Sequence, residues 1–230
     1  MTQTTLTNDL TKLAPPKTWS LVVTILGDVK GEAIAGKDLR ALMTDIGIKA
    51  EALRVALHRL KKDGWIDTTM SGREASYALS DNGRRETARV YDDIYRTDVK
   101  YPEGWHVVMP PMHDSPTSSA ISLSKSTILV PRSFPLPKGA LVMTLPDAPL
   151  PDWAQDQLVP PHLIQLAVGL TSLAPRFATA PDANTARLLF LHHWRKLALN
   201  DGVWAHIGLC PDGTLAQCHR AVTGLLNAKL

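Results

Sequence analysis

Proline sets the strongest limit on what this chain can fold into. Pro15 and Pro16 are followed by no proline until Pro102, whereas 13 of the 17 prolines fall between Pro110 and Pro181. A proline ring removes a backbone donor and clashes inside a helix, so the two stretches cannot share an architecture. Charge divides at the same place. Residues 17–97 hold 14 Lys and Arg and 12 Asp and Glu in 81 positions, against 9 and 8 in the 130 positions of 101–230. The first block therefore reads as compact and helical, and the second as short elements and loops. A domain boundary is expected near 98–103. Residues 1–16 read as a flexible arm, and Ser115–Ser126 as a mobile Ser/Thr-rich loop.

A length of 230 residues with 44% hydrophobic residues allows two modest cores. The net charge of +3 is too small to announce a nucleic-acid partner by itself. Two cysteines, Cys210 and Cys218, cannot build a disulfide scaffold and fit a reducing compartment. The first sixteen residues lack a basic start followed by an apolar run, and no stretch approaches the ~18 apolar residues of a membrane span. The expectation is a soluble cytoplasmic protein without a membrane partner.

The N-terminal block has a readable order. Trp19, Leu21, Val22, Val23, Ile25 and Leu26 form an apolar helix that stops at Gly27-Asp28. Gly36-Lys37-Asp38 opens a second helix, with Leu39, Leu42, Met43 and Ile46 at steps of three and four, ended by Gly47. A third helix is expected from Lys49 to Asp63, with Leu53, Ala56, Leu57 and Leu60 on one face and Gly64 as its stop. Its opposite face collects Glu51, Arg54, Val55, His58, Lys61 and Lys62. The period then changes: Trp65–Met70 and Ala75–Leu79 read as strands around the turn Ser71-Gly72-Arg73-Glu74. A fourth helix is expected from Ser80 to about Thr97.

Three helices and a hairpin, the third helix basic outside, is the order of a winged helix-turn-helix. Such a helix fits the DNA major groove and offers side chains to base edges. Lys49, Glu51, Arg54, Val55 and His58 are the expected base-reading set. Lys61, Lys62, Arg73, Arg84 and Arg85 are the expected phosphate contacts, Arg73 also a minor-groove candidate at the hairpin tip. A basic face alone is usually only solvated; helix order, glycine punctuation and wing together favour double-stranded DNA. The competing reading is a winged helix that binds only protein.

The runs SLVVTILGD, LRVALHRLKKDGWI and GREASYALSDNGRR, spanning Ser20 to Arg85, are similar to the N-terminal domain of the phenylacetate-degradation repressors, the PaaX family. Gly104–Pro110 resembles the strand that opens that family's middle domain, and Leu191–Asp201 resembles its C-terminal helix. The later match is patchy, with His193 where the family carries an acid and Asp201-Gly202 where it carries Asp-Pro. The resemblance implies an α+β chain: a winged helix-turn-helix over 17–98, a ferredoxin-like α+β segment over 99–150, and a mainly helical effector and dimerisation segment over 151–230. It also implies a repressor released from DNA by an aryl- or acyl-coenzyme A thioester. Such a ligand carries phosphates, and Arg132, Arg176 and Arg195 are the candidates to meet them. Two half-sites favour a symmetric homodimer.

Other chemistries find little support. Gly31–Asp38 approaches a phosphate-binding loop, but Asp38 stands where a hydroxyl must ligate Mg²⁺, and a helix precedes it. His192, His193, His206, Cys210, Cys218 and His219 crowd the last forty residues, yet adjacent side chains diverge on a helix and the cysteines lie eight apart. No metal or other cofactor is expected; Cys218 reads as core and one histidine as a surface group. Trp153, Trp194 and Trp204 read as core. No nucleophile elbow or carboxylate pair appears, so an enzyme, zinc-dependent or otherwise, is the weaker alternative.

Overall fold

The structure is a computed structural model that describes residues 5–29, 32–97, 104–110, 121–132, 135–145, 153 and 157–227. The fold is α+β, with two small antiparallel sheets among helices.

The first helix overturns the flexible arm. Helix α1 (Leu6–Leu13) is capped by the Thr5 hydroxyl, which accepts from the Asn8 N–H. Leu6 and Leu10, four residues apart, are buried, so residues 5–16 are held by a hydrophobic stripe that the polar look of this segment conceals. Helices α2 (Thr18–Asp28), α3 (Gly36–Asp45) and α4 (Ala50–Lys62) follow, with the short strand β1 (Ile34–Ala35) before α3. Gly47 and Gly64 adopt φ of 86° and 70°, the left-handed stop that a residue with a side chain resists. Strands β2 (Ile66–Ser71) and β3 (Glu74–Leu79) pair from Ile66 opposite Leu79 to Ser71 opposite Glu74, leaving Gly72-Arg73 as a two-residue turn. Strand β1 adds to the other edge of β3.

The fourth helix is not continuous. It divides into α5 (Asp81–Arg89) and α6 (Tyr91–Tyr95), with Val90 at φ −110°, ψ 3° between them. The break brings the Ile94 carbonyl to the Trp194 indole and the Tyr95 hydroxyl to Asp28, contacts a straight helix would forgo.

The middle segment has strands β4 (Trp105–Met109), β5 (Ile121–Ser124), β6 (Thr127–Pro131) and β7 (Leu141–Thr144), in the order β5-β6-β4-β7. That is the strand order of a ferredoxin-like sheet, but the described residues of the connection from β6 to β7 contain no helix. Pro131, Pro135 and Pro137 in and beside it explain why. The Ser/Thr-rich loop is likewise shorter than expected, because Ile121–Ser124 is strand; residues 115–120 lie outside the described residues.

The C-terminal segment holds α7 (Pro161–Leu173), a 3₁₀ turn (Ala174–Thr179), α8 (Ala183–Ala198), α9 (Asp201–Leu209) and α10 (Thr214–Asn227). At 16 residues α8 contradicts the expectation of short elements, since no proline stands between Pro181 and Pro211. It buries Leu189, Phe190, Leu191, His193, Trp194 and Leu197 and packs against α1, α2, α6, α7 and α10. One large hydrophobic core therefore runs from Leu6 to Leu226, across the boundary expected near 98–103, and a separate small cluster of Val108, Ile128 and Val130 lies in the middle sheet. No helix among the described residues is long and apolar enough to cross a membrane.

Candidate nucleic-acid interface

The sequence of α4 sorts its side chains cleanly. Leu53, Ala56 and Leu60 face the core, while Glu51, Arg54, Val55, His58, Arg59, Lys61 and Lys62 face solvent. Lys49 precedes its first residue and is exposed. Helix α3 enters α4 through the four residues 46–49, a spacing typical of two helices crossing at a steep angle. Leu39 and Met43 of α3, Leu21 and Ile25 of α2, and Leu79 of β3 close the core beneath.

On the open side, α3, α4 and the hairpin enclose a groove of about 760 Å³. Its walls carry Lys37 and Arg40 from α3, Glu51 and Arg54 from α4, and Arg73 and Glu74 from the hairpin. Four cations therefore meet two carboxylates in one concave surface. Arg54 forms a bidentate pair with Glu51, Nη2 to Oε1 at 2.7 Å and Nε to Oε2 at 3.1 Å. The hydrogen bond and the opposite charge lower the Glu51 pKa and raise that of Arg54. Both side chains are about 70% exposed, 72% and 70%, so water screens the pair and the guanidinium can exchange its carboxylate for another acceptor. Lys37 stands 3.5 Å from Glu74 and ties α3 to the hairpin.

The expected residues divide in two. Glu51, Arg54 and Arg73 line the groove; Lys49, Val55, His58, Lys61 and Lys62 are exposed on or beside α4 but do not line it. Arg85 is exposed on α5, near Asn82 at 3.5 Å. Arg84 has a structural task, donating to the Leu79 carbonyl and to Asp81, each at 2.7 Å, where β3 turns into α5. Sequence reading missed Lys37 and Arg40. Their three-residue spacing puts both on one side of α3, but that this side lines the groove depends on how α3 crosses α4.

The arginines expected at an effector hold different elements. Arg132 donates to the Leu145 carbonyl in the middle sheet, and Arg176 pairs with Asp9 of α1 at 2.7 Å. Arg195 donates to the Thr24 hydroxyl of α2 at 2.7 Å.

Among the described residues no group of three or more His, Cys, Asp or Glu side chains could hold a metal. The crowded C-terminal residues instead join the two halves of the chain. His193 Nε2–H donates to the Leu10 carbonyl at 3.1 Å and His219 Nε2–H to the Arg96 carbonyl at 2.8 Å. No histidine of this group is a surface residue: His193, His206 and His219 are buried and His192 half-buried, because the helices that carry them form the centre of the core. Cys218 is fully buried. Of the tryptophans, Trp194 is core and Trp204 half-buried against it, whereas Trp153 is 65% exposed.

Comparison with known proteins bears on this module. Residues 17–83 match the family model described as PaaX-like protein. Over 82 residues the chain is 39% identical to the transcriptional repressor PaaX of Escherichia coli strain K12, a match covering 34% of this chain and 26% of that protein. The similarity thus spans about a quarter of the relative's length. Among solved structures, the uncharacterized protein Rv0674 from Mycobacterium tuberculosis is 19% identical, with a TM-score of 0.47 over 90% of this chain and 94% of that one.

Proposed function

Taking the PaaX-like character of residues 17–83 as the premise, we propose that the chain is a transcriptional repressor that binds double-stranded DNA through a winged helix-turn-helix. One observation carries the reading: α3, the solvent face of α4 and the hairpin turn put Lys37, Arg40, Arg54 and Arg73 around one open groove. A duplex edge laid there would meet α4 in its major groove and the hairpin on its backbone. Lys49, Glu51, Arg54, Val55 and His58 would face bases. Lys37, Arg40, Lys61, Lys62, Arg73 and Arg85 would face phosphates, and Arg84 would support the wing. Glu51 releases Arg54 when a guanine edge replaces its carboxylate, and can itself accept from a cytosine amine. The operator is an inverted repeat read by a homodimer, and no residue is assigned a catalytic role.

The test is selection of genomic fragments by the purified protein, followed by affinity measurements on selected and scrambled DNA at two salt concentrations. The expected result is a preference of roughly a thousandfold or more for the selected site. Arg54→Ala should lose about tenfold or more on that site and little on scrambled DNA. Arg73→Ala should weaken both and lower the slope of log affinity against log salt by about one. Equal affinity for all sequences, with a steep salt dependence, would leave only phosphate attraction and overturn the repressor reading in favour of a protein-binding winged helix.

A further inference from the structure

We propose that a niche between α2, α6 and α8 binds a small organic carboxylate, with Arg195 as its counter-ion. The niche is lined by Val23, Thr24 and Gly27 of α2, Thr87 of α5, Tyr91, Ile94 and Tyr95 of α6, and Leu191 and Arg195 of α8. Its walls are mostly apolar and aromatic, and they hold one cation.

That cation is unusual for its surroundings. Arg195 is half-buried, and its Nη1 donates to the Thr24 hydroxyl at 2.7 Å. A guanidinium carries five N–H donors in a planar fork suited to a carboxylate. Among the described residues, no Asp or Glu lies within ion-pair distance of it. Arg187, two turns earlier on the same helix, is neutralised by Asp28 at 2.6 Å. Burial accordingly pushes the Arg195 pKa down. A desolvated cation facing a cavity without its own anion favours any anion that fits there.

Size and charge select the anion. The niche is open on one side and offers about 30 Å³, room for roughly two water-sized groups and so for one carboxylate head. The nucleotide end of coenzyme A would have to lie outside it. A phosphate dianion would bring a second negative charge for which the niche offers no second cation. His192, which shares Thr24 with Arg195, is kept neutral by burial. The outer wall is apolar: Tyr91 is 43% exposed and its ring lies 4.5 Å from that of Tyr95. The ligand class is therefore a monocarboxylate with an apolar or aromatic body that rests on Tyr91.

Helix α2 is the core helix of the proposed DNA module and α6 follows its wing, so an occupant would be felt at the groove. That consequence rests on the repressor reading; the binding itself does not. The experiment is calorimetry on the full chain without DNA, titrating acetate, butyrate, benzoate, inorganic phosphate and coenzyme A. Butyrate and benzoate should bind saturably, at least tenfold tighter than acetate, with no saturable heat from phosphate or coenzyme A. Arg195→Met should abolish binding. Should that variant not fold, Arg195→Lys should weaken binding at least tenfold, and Tyr91→Ala should bring benzoate down toward acetate. No saturable binding of any monocarboxylate, tighter binding of phosphate or coenzyme A, or affinity indifferent to both residues would each overturn the proposal. Operator binding is measured separately on the same protein. Acid binding without operator binding removes the repressor reading alone, and the reverse removes the niche alone.

Discussion

Three histidines of α8 and α10 can each be given a proton position. Carbonyl oxygens only accept, so Nε2 carries the proton in His193 and His219. Thr24 spends its own proton on the Ser20 carbonyl at 3.0 Å, so at 3.2 Å from Thr24 the His192 Nδ1 is the donor. Burial is the main reason their charged forms are disfavoured; it lowers His192 to about 3 and His193 to about 4. Because the folded values lie below the unfolded one of 6.5, the unfolded chain takes up protons first as pH falls. Stability from these groups is complete above about pH 6.5 and is lost as pH descends toward 4 and then 3. Between pH 7 and pH 5 the two should remove about 3–4 kcal/mol, measured by urea unfolding. His192→Gln/His193→Gln protein should show a much flatter dependence; an unchanged slope would mean the protons enter elsewhere.

At the scale of elements, α4 and the hairpin were the most legible parts. Leu53, Ala56 and Leu60 recur at helical spacing, Gly47 and Gly64 punctuate, and Gly72-Arg73 sits between alternating strands, so local pattern and final structure agree. The groove's Arg54 and Arg73 were legible for the same reason. Lys37 and Arg40 were not, because their membership depends on how α3 crosses α4, a tertiary fact. Helix α1 was hidden because its burial comes from α8, some 180 residues away in sequence, as the His193–Leu10 separation of 183 shows. The break at Val90 has no proline or glycine to mark it; distant partners Trp194 and Asp28 impose it. The turn before α4 offers a direct check. A methyl group on Gly47 would meet nothing within 4 Å, so Gly47→Ala tests backbone conformation alone. It should cost about 1–2 kcal/mol in chemical unfolding, with an unchanged denaturant slope. A neutral result would mean that the left-handed turn is not required there.

For the whole molecule, α8 is the beam to which both halves are fastened. The Trp194 indole donates to the Ile94 carbonyl at 2.7 Å, and Arg187 clamps Asp28 with contacts of 2.6 and 3.2 Å; beside them Arg96 lies 4.8 Å from the Trp204 ring of α9. The clamp is well shielded, at 21% and 16% side-chain exposure, so removing one partner strands the other's charge. Arg187→Met should lower stability by about 2–3 kcal/mol, and Asp28→Asn/Arg187→Met should recover part of that loss. Additive losses in the double variant would show that the two groups act independently.

The seat of α1 also bears on how the chain is made. Leu6 and Leu10 leave the ribosome well before α7 and α8, the helices that cover them. During synthesis the N-terminal leucines therefore wait, exposed, while about 150 further residues are added at ~5–20 residues per second, an interval of roughly 8–30 seconds. Helices α2 to α4 and the β2–β3 hairpin can condense early from contacts near in sequence. Closure of this core, and any signal α8 passes to residues 17–83, begins only once α8 itself has been made.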